Sequence, residues 1–207
     1  FSANLVKIIS GGWFPLVLGA VVFTLMTTWR RGRALLLRQV RQSGIALAPF
    51  LISLAEHPPT RVPGTAVFLT ADPFAVPNAL LHNLKHNKVL HQHNILLTVE
   101  TLDTPTANAD QRFTWTPLDD GFARLLIQHG FAEDADLPAL LAQVPGASVG
   151  LDMMDTTFFL SRETVVSGEH RTGMAQWRDK LFAYLTRNAL PATAFFGIPR
   201  NRLIELG

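Results

Sequence analysis

The sequence predicts an α/β protein with one transmembrane helix followed by a soluble cytoplasmic domain, whose mainly parallel or mixed sheet is flanked by helices. The membrane prediction rests on the stretch from Ile8 through Trp29, which contains no charged residue. The sheet prediction rests on two compact apolar runs, Thr65–Thr70 and Asn94–Val99, which enclose a helical pattern over Pro77–Asn87. Strand, helix and strand in this order indicate a βαβ unit with parallel strands.

The first predicted element is the membrane span. The 22 residues from Ile8 to Trp29 would extend roughly 33 Å as a helix, which is enough to cross a hydrocarbon core of about 30 Å. Pro15 suits the first helical turn, where its missing N–H leaves no bond unmade. Trp13 and Trp29 are expected to anchor the helix at the two membrane interfaces.

The charges that flank the span predict its orientation. Lys7 alone precedes it, whereas a basic cluster of Arg30, Arg31 and Arg33 follows it directly. Positive charge collects on the cytoplasmic side of membrane helices, so the remainder of the chain is expected in the cytoplasm and beside lipid headgroups.

Two other interpretations of this helix stay open at the sequence level. A signal peptide would carry its positive charge before the apolar run, not after it. A core helix of a soluble protein fits the diluted apolar pattern, since Gly19 and several threonines interrupt it. Phe1 is not an initiator methionine, and we expect the chain to be a processed product or a piece of a longer protein.

A connector should follow the span. Arg33–Val40 consists of good helix formers with one apolar face and is expected to continue the helix until near Gly44. A short apolar helix over Pro49–Ala55 comes next, and the proline-rich stretch His57–Gly64 should break regular structure. We therefore divide the chain into the end of a membrane domain (1–33), an amphipathic connector (34–62) and a cytoplasmic α/β domain (63–207).

The second half of the soluble domain adds further elements. The most distinctive is an amphipathic helix over Met174–Asn188, with Trp177, Leu181, Tyr184 and Leu185 on one side. The others are a strand over Gln111–Thr116, a strand or helix over Phe122–Gln128, a helix over Leu137–Gln143 and a strand over Thr156–Leu160.

Composition and motifs exclude several classes of function. The chain has no cysteine, which excludes disulfides, thiolate zinc sites and cysteine nucleophiles. Its net charge of +2 is small, and the basic excess lies beside the span, so we expect no nucleic-acid binding. The sequence contains no phosphate-binding loop, no dinucleotide fingerprint and no serine-hydrolase elbow. We expect no cofactor and no enzymatic activity.

Three groups of polar residues are candidate sites. His82 and His86 lie four apart on a predicted helix and could share a metal, with His91 and His93 nearby. No carboxylate lies between His82 and His93, and neighbouring lysines would repel a cation, so a polar helix end is the alternative.

The second group, Asp152 and Asp155, is typical of turn and capping residues. The third group, Asp72 with Arg162 and Glu163, follows two predicted strands and could form a polar site, although exposed charge pairs are common and weak.

Several separate motifs resemble one transporter family. The run Gly11–Arg33 (GGWFPLVLGAVVFTLMTTWRRGR) resembles the last membrane helix and exit of the Kup-type low-affinity potassium uptake transporters, in the Kup/HAK/KT family. Motifs similar to its cytoplasmic region follow in the same order: PGTAVFLT (Pro63–Thr70), HNLKHNKVLH (His82–His91), TTFFLSRET (Thr156–Thr164), WRDKLFAYLTRNA (Trp177–Ala189) and FFGIPRNRLIELG (Phe195–Gly207).

The resemblance implies a potassium:proton symporter of the bacterial inner membrane, with a homodimer as the expected assembly. Ion sites in related inverted-repeat folds are made by broken helices near the midplane. In the family those helices precede the equivalent of Phe1, so no residue of this chain is assigned to potassium or proton coordination.

Three hypotheses for the soluble domain follow. It could support folding, dimerisation or gating of a potassium transporter. It could be a regulatory module for a nucleotide, such as a cyclic dinucleotide, as the resemblance implies for some related transporters. The crevice would then lie near Thr70–Asp72 and Leu160–Glu163, at the carboxyl ends of the strands. Finally, it could be a membrane-anchored, metal-dependent hydrolase that uses His82 and His86.

Overall fold

The computed structural model describes residues 12–144, 152–161, 173–189 and 195–206. The chain forms two compact units. The first contains the N-terminal helix as far as Val40 together with the last helix. The second contains the sheet and the helices that pack on it. The described helices are α1 (Trp13–Ser43), α2 (Leu47–Glu56), α3 (Asn78–Asn87), α4 (Leu137–Leu141) and α5 (Gln176–Arg187).

α1 is one continuous helix of 31 residues. Its first part is apolar and long enough to cross a membrane, and the side chains of that part are almost all exposed. A core helix of a soluble protein would bury such residues, so this exposure favours the membrane interpretation over the core-helix alternative. The predicted continuation to near Gly44 is confirmed, since α1 ends at Ser43.

Six strands form one sheet. They are β1 (Thr60–Leu69), β2 (Val89–Leu102), β3 (Phe113–Pro117), β4 (Phe122–Gly130), β5 (Thr156–Ser161) and β6 (Leu203–Leu206). Their order is β3-β4-β2-β1-β5-β6. Neighbouring strands are parallel except β3, which is antiparallel to β4. The predicted α/β class and the βαβ unit of β1, α3 and β2 are confirmed.

β1 lies in the centre of the sheet and is buried on both faces. Its residue Thr65 aligns with His93 of β2 on one side and with Thr156 of β5 on the other. Ala66 and Phe68 contribute to one hydrophobic core, whereas Val67 and Leu69 contribute to the other. This alternation follows from the two-residue period of a strand, and it explains why β1 is a continuous apolar run.

Helices cover both faces of the sheet. Leu47, Leu51 and Leu54 of α2 pack in the first core with Leu80 of α3. The second core contains Leu137, Leu140 and Leu141 of α4, which pack with Ile95, Leu97, Leu125, Ile127 and Phe158 of the strands. The second unit is therefore a three-layer α/β/α arrangement, with the sheet between two layers of helices.

The prediction that His57–Gly64 breaks regular structure is wrong in its second half. β1 begins at Thr60, and its pairing with β2 shifts register between Val62 and Thr65. Gly64 has φ +97°, which a residue with a side chain rarely adopts. Pro63 and Gly64 therefore occupy an irregularity within the strand, which is where such residues are tolerated.

β3 and β4 form a hairpin whose turn matches its sequence. Asp120 and Gly121 both have positive φ, at 58° and 72°, and the N–H of Phe122 donates to the carbonyl of Asp119 at 3.2 Å. This geometry corresponds to a type I′ turn, for which Asp-Gly is a favoured pair. The ambiguous Phe122–Gln128 segment is a strand.

α5 packs on α1 within the first unit. Its buried residues are Asp179, Phe182 and Ala183, and Trp29 and Leu36 of α1 pack against this group. On the predicted apolar side of α5, Trp177 and Tyr184 are not buried; they are 57% and 64% exposed. The helix is amphipathic as expected, but the face packed against α1 is the one that carries Phe182.

Candidate functional site

The sheet topology predicts a ligand-binding crevice at the carboxyl ends of β1 and β5. From β1 the chain leads to β2 on one side, and the strand after β5, which is β6, lies on the other side. Connections that diverge in this way leave a gap between the ends of adjacent parallel strands, where α/β proteins commonly bind ligands. Thr70 follows β1 at this edge, and Ser161 ends β5.

Thr70 and Asp72 follow β1 on one side of this predicted crevice. The Thr70 hydroxyl donates to the carbonyl of Asp72 at 3.0 Å and accepts from the Asp72 N–H at 3.2 Å. The Asp72 carboxylate accepts from the N–H of Phe74 at 3.0 Å. Asp72 thus shapes the loop after β1 and places a carboxylate and a hydroxyl beside the strand end.

The other two members of the predicted polar site, Arg162 and Glu163, lie outside the described residues. Asp72 is therefore the one member whose surroundings can be stated. Asp152 is confirmed as a capping residue, since its carboxylate accepts from the N–H of Met154 at 2.8 Å.

The predicted membrane anchors lie on α1. Trp13 is 54% exposed, and Trp29 is partly buried because its ring packs on Phe182 with 5.7 Å between centroids. The side chains of Arg30, Arg31 and Arg33 are all exposed. One end of the apolar helix therefore carries three exposed cations next to a tryptophan, and their role as interfacial anchors stays a prediction.

A polar contact also joins α1 and α5 at this level. Arg178 of α5 donates from Nε to the hydroxyl of Thr28 at 3.0 Å and from Nη2 to that of Thr27 at 3.2 Å. Thr28 is fully buried. One guanidinium therefore holds two consecutive threonines at the end of the apolar helix.

The four histidines between residues 82 and 93 do not converge on one point. His82 and His86 are stacked on α3 with 5.9 Å between ring centroids. His91 lies on β2 with its ring edge against Phe159 at 5.9 Å, and His93 is exposed. Across residues 12–144, 152–161, 173–189 and 195–206, no three His, Asp or Glu side chains form a group that could hold a metal ion.

His91 is partly buried in the sheet beside Phe159. Burial lowers the pKa of its imidazole below 6.5, and the carboxylate of Asp155 opposes this shift. Its Nδ1 is buried without a hydrogen-bond partner in the described part of the chain. Burial of the ring therefore favours its neutral form over the charged form.

Sequence analysis missed a carboxylate clasp at the end of β4. Glu133 accepts hydrogen bonds from the N–H groups of Gly130 at 2.7 Å and Ala107 at 3.1 Å, and it pairs with Arg112 at 2.5 Å. The Gly130 bond, followed by the Arg112 bond, lowers the pKa of Glu133 to about 2. These partners are distant in sequence, so no local motif marks them.

A second long-range contact fixes the opposite end of the sheet. Arg61 in β1 pairs with the carboxylate of Asp120 at 2.6 Å and donates to the carbonyl of Asp120 at 2.8 Å and that of His91 at 3.1 Å. The turn between β3 and β4 is thereby tied to the first part of β1. This end lies opposite the crevice, so the contact is structural.

Comparison with known families divides the chain into two regions. Residues 1–34 match the family model described as the K+ potassium transporter integral membrane domain. Residues 63–207 match the model described as the K+ potassium transporter C-terminal domain. The first region ends within α1, just after the basic cluster, and the second includes the whole sheet except the first three residues of β1.

Curated relatives match along the whole chain. The chain is 56% identical over 208 residues to the "Probable potassium transport system protein Kup" of Xanthomonas euvesicatoria pv. vesicatoria, covering 100% of this chain and 33% of that protein. Proteins with the same name from Xylella fastidiosa and Thiobacillus denitrificans are 55% and 51% identical, each covering 100% of this chain and 33% of the relative. The chain thus spans about a third of the length of these relatives. No solved structure matches it.

Proposed function

Because the chain belongs to the K+ potassium transporter family, we propose that it forms the last span and the C-terminal domain of a protein that imports potassium together with protons. The observation that carries this proposal is the order of the two family regions along one chain, with α1 at their junction. The function is transport, not catalysis. The ion pathway would lie in the part of the relatives that precedes this chain.

The proposed location is the bacterial inner membrane, with the sheet on the cytoplasmic side. The exposed apolar surface of α1 supports the span. The exposed Arg30, Arg31 and Arg33 after Trp29 support the orientation by the positive-inside rule. Reporter fusions after Ser43 and after Gly207 test it. A cytoplasmic reporter active at both positions is expected, and activity of a periplasmic reporter at either would contradict the orientation.

We propose that the soluble domain supports assembly or gating of the transporter through α5. This helix lies between β5 and β6 in the sequence, yet its buried face packs on α1. The link between Arg178 and Thr28 joins residues 150 positions apart. A segment of the C-terminal domain therefore packs directly against the proposed last span.

Rubidium uptake in a potassium-requiring strain tests both parts of the proposal. The full parent gene should support uptake, whereas a version that stops after Arg41 should not, although it reaches the membrane in equal amount. Uptake by neither, with both present, would contradict the transporter assignment. Equal uptake by both would contradict the role in assembly or gating.

A matched pair of substitutions makes the second test sharper. Arg178→Ala removes the link to α1, while Gln176→Ala changes an exposed residue on the same helix. We expect reduced uptake for Arg178→Ala alone. Equal uptake by both variants at equal membrane levels would argue against α5 as the coupling element.

A second candidate function is nucleotide sensing at the crevice between β1 and β5, which the divergence of the strand connections supports. Calorimetry of the chain in detergent with ATP, AMP and a cyclic adenine dinucleotide tests it. Asp72→Asn should weaken binding, because Asp72 lies at the crevice, whereas Asp134→Asn at an exposed position elsewhere should not. No heat with any of the three ligands would eliminate the candidate.

We also propose a homodimer. β6 is the last strand of the described sheet, and its residues Ile204 and Glu205 are exposed. An edge strand offers backbone donors and acceptors to a second copy. Light scattering of the purified full-length transporter should give the mass of two subunits. The mass of one subunit across the accessible concentration range would rule this out.

A further inference from the structure

α5 carries an exposed aromatic stripe that its packing on α1 does not use. At about 100° per residue, Trp177, Leu181 and Tyr184 fall within about 60° of one another around the helix. The first and last of these are 57% and 64% exposed. The exposed polar residues Gln176, Lys180 and Arg187 form a separate stripe about 40° wide beside it. The outer surface of α5 is therefore divided into an apolar and a polar half.

The apolar half faces the same side as the apolar surface of α1. Leu181 closes one side of an open groove of about 360 Å³. The other residues that line the groove all belong to the apolar part of α1: Val17, Ala20, Val21, Thr24 and Leu25. Leu181, the middle residue of the stripe, thus adjoins the exposed apolar surface of α1.

α5 also contacts the end of the apolar run that carries the predicted interfacial tryptophan. Its contacts include Thr27, Thr28, Trp29 and Gly32, all close to the predicted interfacial tryptophan. Exposed arginines follow at once on α1, and Lys180 and Arg187 lie on the polar stripe of α5. Aromatic side chains and cations at this depth are the residues that favour the headgroup region.

We propose that α5 is an interfacial helix, with Trp177 and Tyr184 embedded in the cytoplasmic leaflet and an acyl chain of the same leaflet in the groove beside Leu181. Lys180 and Arg187 then face phospholipid headgroups. The proposal rests on α1 being the span of the proposed transporter. It adds that a segment of the C-terminal domain is itself a lipid-binding element.

Site-directed labelling tests this proposal on the whole chain, which contains no cysteine. Single cysteines at Trp177, Tyr184 and Lys180 are labelled with an environment-sensitive fluorophore, and the chain is reconstituted in vesicles of phosphatidylethanolamine and phosphatidylglycerol. Lipid-borne nitroxides and aqueous iodide then quench from the two sides. All three positions are exposed, so a label at each leaves the packing on α1 intact.

We expect the labels at 177 and 184 to be quenched by the nitroxide lipid and to show severalfold lower iodide quenching than the label at 180. Equal iodide quenching at all three positions would overturn the proposal. Protection from iodide without nitroxide quenching would assign the stripe to a contact with a second copy and would overturn it equally.

A label at Phe23 separates this proposal from the membrane assignment on which it depends. Phe23 is 69% exposed on the apolar part of α1. Nitroxide quenching at 23 with water-exposed labels at 177 and 184 would refute the interfacial helix alone. Failure of nitroxide quenching at 23 would refute the span, and the interfacial helix with it.

Discussion

The guanidinium of Arg178 and the buried hydroxyl of Thr28 lie 3.0 Å apart and join the last helix to the end of the apolar helix. Thr28 has no exposed surface, so water cannot replace this hydrogen bond to its hydroxyl. Without the Thr28 hydroxyl, the Arg178 guanidinium would lose this hydrogen bond and would not be fully hydrated in its place.

Thr28→Val should therefore loosen the α1–α5 packing, by about 1–3 kcal/mol. Thr24→Val is the matched control, because the Thr24 hydroxyl donates within its own helix, to the carbonyl of Ala20 at 2.7 Å. Thermal unfolding in detergent measures the difference, followed through Trp29 fluorescence in a background where Trp13, Trp115 and Trp177 are replaced by Phe. Equal midpoints for the two variants would show that the Arg178 contact contributes nothing.

Gly32 allows the two helices to approach closely. A Cβ built on it would lie 2.3 Å from the ring of Phe182, whereas one on Gly19 of the same helix meets nothing within 4 Å. Gly32→Ala should lower the stability of the α1–α5 unit by about 1–3 kcal/mol through overpacking.

Gly19→Ala should leave that stability unchanged or raise it by up to about 1 kcal/mol, since alanine favours helices. Phe182→Leu combined with Gly32→Ala should recover part of the loss. If Gly32→Ala and Gly19→Ala have the same stability, α1 and α5 do not approach each other closely at Gly32.

The Glu133 clasp predicts a stability change in acid. Its pKa falls from 4.5 to about 2 on folding, mainly through the Gly130 N–H and then Arg112. A lowered carboxyl pKa stabilises the folded state above pH 4.5, and this contribution is lost as the pH falls toward about 2.

Glu133→Gln should remove this pH dependence and raise amide exchange at Gly130 and Ala107, the two backbone donors. Glu100→Gln at an exposed position on β2 serves as the control. Denaturation midpoints between pH 5 and 2 and hydrogen exchange at neutral pH provide the two measurements. An acid response unchanged in Glu133→Gln would contradict the clasp.

The lowered pKa of His91 predicts a second pH dependence of stability, nearer to neutral pH than that of Glu133. Burial lowers its pKa below 6.5, so the unfolded chain takes up a proton before the folded chain does. The contribution of His91 to the free energy of unfolding is therefore complete above pH 6.5. It declines as the pH falls below that value, until the folded state also binds the proton.

His91→Gln should flatten this slope, whereas His93→Gln, on the exposed neighbour, should preserve it. The quantity to compare is the change in denaturation midpoint between pH 7.5 and 5, not the midpoint itself, because the substitution also alters packing on Phe159. Identical slopes in both variants would assign the titration to another group.

The elements that sequence analysis predicted well are those whose pattern is local. α1 follows from an uncharged run with flanking arginines, and β1, α3 and β2 follow from apolar periods bounded by turn residues. β6 was missed because four residues at the end of the sheet are stabilised by pairing with β5, which no local pattern reveals.

The face of α5 was harder to assign, for a different reason. Trp177 and Tyr184 look like core residues by hydrophobicity alone, yet Phe182 and Ala183 contact α1. Which side of an amphipathic helix packs on a neighbour depends on the shape of that neighbour, in this case the surface around Gly32. The clasp of Arg112 and Glu133 likewise depends on tertiary proximity across 21 positions.

The central position of β1 has a consequence for biosynthesis. β2 emerges from the ribosome soon after β1, but β5, the other neighbour of β1, follows only after β3 and β4 have also been translated. During that interval one edge of an apolar strand has no partner, and such an edge recruits other chains. Stop codons between residues 69 and 156, which release β1 without β5, should therefore yield aggregated or degraded products, and the nascent domain should require chaperones until β5 is released.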